Sequence, residues 1–219
     1  MSGVESRVPI GLDRETSRRN FLKTAAWTGA AFTAMGIGGF GVAVRRAEAA
    51  GEYKTYEGLG DAAILQFAYQ LELLEGTFYA EGVKADPFAD AFLQQIIAIR
   101  DHEMAHADAI ATTLGQLGAA VPATPRFTYP SGAFGDVKTF LELAATFEPV
   151  GIGAYQGAAP ALKSKDILAS AISIHNAECQ HRCAINILNL IHPPNNLAVE
   201  VALPLQKVQA AVKPFGITG

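Results

Sequence analysis

The sequence predicts an all-α protein: a four-helix bundle with one long crossover between helices two and three, plus a short C-terminal helix. Three observations carry this reading. Four long segments repeat apolar residues at three- and four-residue steps, the period of a helix with one buried face. Short turns join the first segment to the second and the third to the fourth, whereas the stretch from Gly118 to Gly135 separates the two pairs. Finally, the same set of Glu, Tyr and Glu-x-x-His recurs at an offset of 75 or 76 residues, so the chain reads as two helical hairpins.

The N-terminus stands apart from the bundle. Residues 17–23 read Ser-Arg-Arg-Asn-Phe-Leu-Lys, a weakly hydrophobic Gly/Ala-rich run follows from Thr24 to Val44, and Ala47-Glu48-Ala49 has a small-x-small pattern. That order matches a basic region, an apolar region and a cleavage site. The paired arginines resemble a twin-arginine export signal, which implies the twin-arginine export machinery as a partner. We therefore read residues 1–49 as a twin-arginine-type signal peptide and residues 50–219 as the domain. The expected location is exported, periplasmic or extracellular. An uncleaved run would instead anchor the protein in the membrane.

The domain that remains is acidic. Of 17 basic residues, seven lie in 1–49, leaving ten; of 21 acidic residues, four lie there, leaving 17, a formal net charge of −7. Such a balance offers no electrostatic footprint for nucleic acid. Half of the whole sequence is hydrophobic, enough for a full core. Cys179 and Cys183 stand four apart on one predicted helix, where a bridge would be strained, so they read as apolar core thiols.

Helix one is expected from Asp61 to Lys84, with Ile64, Leu65, Ala68, Leu71 and Phe78 on its apolar face and Asp61 as N-cap. Helix two is expected to begin at Asp86-Pro87, with Pro at its first position, and to run through Phe92, Ile96, Ile99, Met104 and Ile110 to Leu117, where Gly118 ends it. Helix three should span Asp136 to Ala159 and helix four Lys165 to Ile191, before Pro193-Pro194. Residues 203–213 suit one more short helix. The turns near Ala85-Asp86 and Pro160 to Ser164 make each pair antiparallel. A helix of this length is about 38 Å long, and the segment 118–135 can reach up to about 60 Å. It can therefore cross the whole bundle and start helix three parallel to helix two.

The chemistry lies in the repeat. Glu103-Met104-Ala105-His106 and Glu178-Cys179-Gln180-His181 each put a carboxylate and an imidazole on one helix face. Upstream of each stands a Glu with a Tyr seven residues on: Glu72 with Tyr79, and Glu148 with Tyr155. Two facing hairpins would bring four carboxylates and two imidazoles to one point in the core, where unpaired charges would be prohibitive. Two divalent cations balance four carboxylates, and this donor set suits iron or manganese. The expected metal ligands are Glu72, Glu103, His106, Glu148, Glu178 and His181, around two points about 3.5–4 Å apart. Glu75 shares the face of Glu72 and competes with it; the repeat favours Glu72, because Glu75 falls opposite Gly151. Pro149, with Gly151 and Gly153, either re-aims Glu148 or loosens its half of the site. His102 should point about 100° away from Glu103 and lie partly exposed. His175 reads as a satisfied core histidine or a hydrogen-bond partner of a ligand, and His192 as a helix-end cap.

The stretches LQFAYQLELLEGTFYAEGV (65–83), RDHEMAHADAI (100–110), FEPVGIGAYQGAAP (147–160) and AISIHNAECQHRCAI (171–185) resemble the ferritin-like superfamily, in the branch of exported bacterial ferritin-like proteins and plant desiccation-related proteins. The resemblance implies a ferritin-like four-helix bundle in which Glu103 and Glu178 bridge two Fe or Mn ions. Glu72 with His106 would complete one metal, and Glu148 with His181 the other. Tyr79 and Tyr155 would be hydrogen-bond partners of the ligands or electron donors, the positions carried over as catalytic. The activity implied is an oxidase, ferroxidase or peroxidase using O2 or H2O2 under oxidative or desiccation stress. A non-enzymatic stress-protective bundle and an iron store are the alternatives, and the sequence leaves room for a homo-oligomer. If residues 1–49 are a leader, exported protein should begin near Ala50 and contain no tryptophan, because Trp27 is the single one. Intact mass of exported material checks this; retention of 24–44 would mean an anchored form.

Overall fold

A computed structural model describes residues 56–217. The leader proposed for residues 1–49 lies outside the described residues. Among the described residues five α-helices follow in order: α1 Asp61–Ala85, α2 Asp90–Gln116, α3 Val137–Ala158, α4 Lys165–Leu188 and α5 Leu205–Val212. A 3-10 turn, Ala159–Ala161, extends α3, and another, Lys213–Phe215, extends α5. Among the described residues there is no strand, and no helix is long and apolar enough to cross a membrane.

The boundaries differ from expectation where a side chain found a better partner. Gly60, not Asp61, is the N-cap of α1. The Asp61 carboxylate instead accepts hydrogen bonds from the backbone N–H of Lys163 and Ser164, clasping the α3–α4 turn. Helix α2 begins at Asp90 rather than Asp86-Pro87. The residue before a proline avoids the right-handed helical region; Asp86 adopts a left-handed φ of 50° and closes α1 through its N–H to the Gly82 carbonyl. Asp136 does cap α3, accepting from the Thr139 N–H, and Ser164 caps α4 in the same way through Ile167. Helix α4 stops at Leu188, three residues early, with Asn189 as its C-cap and Leu190 at φ 59°. His192 therefore lies beyond the helix, exposed, and caps nothing.

Contacts between helices fix the topology. Tyr79 of α1 reaches Glu148 of α3, while Tyr155 of α3 reaches Glu72 of α1, so these helices run antiparallel. Ile110 and Leu114 of α2 pack with Ile167 of α4, one level below Glu103 and His181, so α2 and α4 are antiparallel too. With both hairpins antiparallel, α2 must run parallel to α3, and α1 parallel to α4. The crossover 118–135 accordingly climbs along α1. Its start receives a hydrogen bond from Gln66 at the Ala120 carbonyl, its middle sends Tyr129 to the Leu74 carbonyl, and its end lays Phe134 against Phe78.

The core has two ends with the polar cluster between them. At one end Phe78 stacks on Phe140 at 4.5 Å, with Phe88, Phe147 and Tyr129 around them. At the other, Leu65, Ile110, Leu114 and Ile167 pack together. The aromatic end depends on Gly82: a methyl group there would fall 2.2 Å from the Phe140 ring. Helix α3 continues through Pro149, Gly151 and Gly153 as one element. Gly82→Ala should cost about 1–3 kcal/mol, the usual range for overpacking a filled core. Urea unfolding should show a lower midpoint with an unchanged slope; an unchanged midpoint would mean Phe140 can retreat freely.

Candidate metal centre

Each of the four long helices sends acidic or imidazole groups to one level of the bundle. Helix α1 supplies Glu72 and Glu75, α2 supplies Glu103 and His106, α3 supplies Glu148, and α4 supplies Glu178 and His181. The structure brings all six expected ligand residues together. Glu103, Glu148 and Glu178 are 0% exposed, Glu72 2% and His181 3%. Two sets of ligand atoms, each within 4.8 Å of one another, are formed by Glu72, Glu103, His106 and Glu178 and by Glu103, Glu148, Glu178 and His181. Glu103 and Glu178 belong to both sets.

The distances show how the two shared carboxylates divide their oxygens. His106 Nδ1 lies 3.3 Å from Glu103 Oε2, 3.1 Å from Glu178 Oε1 and 3.2 Å from Glu72 Oε2. His181 Nδ1 lies 2.8 Å from Glu103 Oε1, 3.6 Å from Glu178 Oε2 and 3.9 Å from Glu148 Oε2. One N–H cannot serve three acceptors, whereas a cation can. Moreover His181 Nδ1, Glu103 Oε1, Glu148 Oε2 and both oxygens of Glu178 are buried without a properly aligned hydrogen bond. Close approach without hydrogen-bond alignment is what ligand atoms converging on an ion require. The donor set, imidazole and carboxylate only, suits iron or manganese.

The tyrosines are exchanged between the hairpins. Tyr79 donates to Glu148, and Tyr155 donates to Glu72. In neither case is the acceptor the Glu seven residues earlier on the same helix. Seven residues is about 10 Å of helix rise, too far for a side chain to fold back, and the antiparallel partner brings the other hairpin's Glu to the right height. Burial, then the neighbouring carboxylate charge, pushes both phenols well above their ordinary range, so they stay protonated donors.

His102, expected to point away from Glu103, nonetheless borders the cluster. It is exposed, as expected, yet its Nδ1 lies 3.0 Å from Nε2 of His181. If His181 binds through Nδ1, its proton sits on Nε2 and His102 accepts it, which fixes the ring. The helical spacing gave the direction of His102 but not that α4 would place His181 beside it. The remaining positions are plainer. His175 is half-buried, with Nδ1 4.0 Å from Cys179 Sγ and Nε2 without a partner, so it is not the satisfied core histidine expected. Cys179 and Cys183 are free and half-buried rather than core thiols. Arg182, next to His181, is buried and paired with Glu200 at 3.0 Å, tying the C-terminal tail to α4.

Electrostatics sorts the carboxylates. Burial, then the charge of Glu178, raises Glu72 well above the usual carboxylate value. Burial, then Glu103, does the same to Glu148, and Glu75 is raised by burial and its four acidic neighbours. Glu103 is the exception: burial opposes its charge, but the adjacent His106 and His181 imidazoles win and hold it down at about 2. Burial opposes the histidine charges as well, yet the carboxylates outweigh it, pushing His106 up to about 12 and His181 to about 11.

These directions set the pH response of protein stripped of metal. The raised histidines contribute stability that is complete below their unfolded value of 6.5 and is lost as pH rises toward their folded values. Raised Glu72 and Glu148 make folding costlier above their unfolded 4.5. The Glu103 contribution is present above 4.5 and is lost only as pH falls through about 2. Metal-stripped protein should therefore melt at a lower temperature at about pH 8 than at about pH 5. Metal binding displaces those protons, so stabilisation by Mn(II) should grow over the same interval. Thermal melts at both pH values check this; a metal-induced gain that shrinks as pH rises would contradict it.

Comparison with known proteins agrees with this architecture. The family model described as a ferritin-like domain matches residues 60–190, from the N-cap of α1 to just past the end of α4. A comparison with curated proteins gave no match. The match spans more than half of the chain and all four helices that carry the cluster, and the chain belongs to the ferritin-like domain family.

Proposed function

We propose that the chain is an exported di-metal carboxylate protein that holds two iron or manganese ions and uses them as an oxidase, ferroxidase or peroxidase. The observation that carries this reading is the pair of four-residue ligand sets sharing Glu103 and Glu178. Glu103 and Glu178 would bridge the ions. Glu72 and His106 would complete one position, and Glu148 and His181 the other. Two such ions, each giving up one electron, would supply the pair that reduces H2O2 with two protons to two waters, or that begins the reduction of O2.

The protein's own groups have defined tasks. Tyr79 and Tyr155 hold the terminal carboxylates Glu148 and Glu72 by hydrogen bonds, and so fix which oxygen each presents to the centre. The buried carboxylates and their apolar surroundings keep bulk water out. His102 accepts the outer hydrogen of His181 from the solvent side, and so holds the ring with Nδ1 toward the centre. Export rests on the composition of residues 1–49. A twin-arginine route suits it, because that route carries folded protein, with the metals loaded beforehand.

Glu103→Ala and Glu178→Ala should each lose most bound metal and any O2 or peroxide turnover while keeping their helical circular dichroism. Elemental analysis and an oxygen- or peroxide-electrode assay on protein folded by its own host check this. If Glu72, Glu103, Glu148 and Glu178 can each be replaced by Ala without changing metal content, the stress-protective scaffold becomes the better account. Loading far above two ions per chain, with a shell-sized solution mass, would favour storage.

A further inference from the structure

The two hairpins repeat, but not perfectly. Glu75 corresponds to Gly151 by the same offset that relates Glu72 to Glu148. The structure brings these unlike positions face to face. A methyl group on Gly151 would lie 3.1 Å from Oε1 and 3.4 Å from Oε2 of Glu75, and 3.6 Å from Oε2 of Glu178. The Glu75 carboxylate thus stands in the room that a side chain at 151 would fill. It is 4% exposed, a fifth buried carboxylate beside the four of the repeat.

Its placement is one-sided. Glu178 Oε2 is the oxygen turned toward His181, at 3.6 Å, while Oε1 is turned toward His106, at 3.1 Å. Because Glu75 shares the space around Gly151 with Oε2, it lies on the side of Glu178 that is turned toward His181. A second departure from the repeat falls on the same side. His102 secures the outer nitrogen of His181 at 3.0 Å, and the repeat places Ala177 at the matching position of the other hairpin.

We propose that Glu75 is a further ligand for an ion held by Glu103, Glu148, Glu178 and His181, so that this half of the centre binds its ion more tightly than the half built on Glu72 and His106. The proposal rests on the metal-centre reading and goes beyond it, since the repeat alone would make the two positions equal. An added carboxylate raises the negative charge and oxygen count of one position only, and ligand charge count is a principal lever on affinity. Gly151 is the permissive partner: a Cβ there would crowd the Glu75 carboxylate at 3.1 Å and press it back.

The test is a titration of metal-stripped protein with Co(II), followed by calorimetry and by the ligand-field bands of the bound ion. Wild type should bind two ions in two steps separated by at least about tenfold in affinity. Glu75→Gln should weaken the tighter step by about 10–100-fold and leave the weaker one unchanged. Gly151→Ala, which crowds the Glu75 carboxylate without removing it, should weaken the same step, though by less, and alanine in a helix keeps the fold intact. Glu72→Gln should weaken the other step. Wild-type affinities for both steps in Glu75→Gln and Gly151→Ala, or loss of the weaker step instead, would overturn the inference and leave the metal centre standing. Wild type that binds no Co(II) would remove the metal centre itself, and this inference with it.

Discussion

Five carboxylates and two imidazoles share one level of an apolar helical bundle, and their mutual repulsion is the constraint on which the rest of the structure depends. An ionised group taken from water into protein costs several kcal/mol unless it is matched by opposite charge and hydrogen bonds. The two histidines match part of that charge, most visibly at Glu103. The remainder calls for cations or protons. Stability gained from packing is spent here, so the bundle needs strong apolar layers on both sides. The aromatic stack around Phe78 and Phe140 and the aliphatic layer around Leu114 and Ile167 supply them.

The same constraint accounts for the topology. The cluster needs one Glu from each of α1 and α3 at the height of the Glu-x-x-His turns of α2 and α4. Only facing hairpins related by a twofold axis give that arrangement from a repeated sequence, and only a crossover as long as the bundle can join them in one chain. The exchanged tyrosines follow from it. Each hairpin fixes the terminal carboxylate of the other, so the centre's geometry is set jointly and neither hairpin holds it alone.

Much of this was legible in the sequence because the signals were local and periodic. The four helices follow from apolar periodicity, the crossover from the length of 118–135, and the convergence of Glu72, Glu103, His106, Glu148, Glu178 and His181 from a repeat at 75 or 76 residues. What was not legible depended on partners far away in the chain. Asp61 left its expected capping role for the backbone of Lys163 and Ser164. Asp86, ahead of Pro87, ended one helix instead of opening the next. His102 was placed correctly at the surface, but its bond to His181 joins two helices that no spacing relates. Glu75 and Glu72 looked like rivals for one role, whereas the structure places both in the cluster, with Glu75 against Gly151.

The repeat has one more consequence. Two identical copies of a single hairpin, associating about a twofold axis, would bring the same six ligands together, but every position would then occur twice with the same residue. A glutamate at position 75 would face another glutamate where Gly151 now stands, and the room that admits its carboxylate would be gone. Joining the halves through residues 118–135 frees paired positions to differ. Covalent linkage thus permits a large acid on one side of the axis and a bare backbone on the other, an asymmetry closed to any self-associating half-chain.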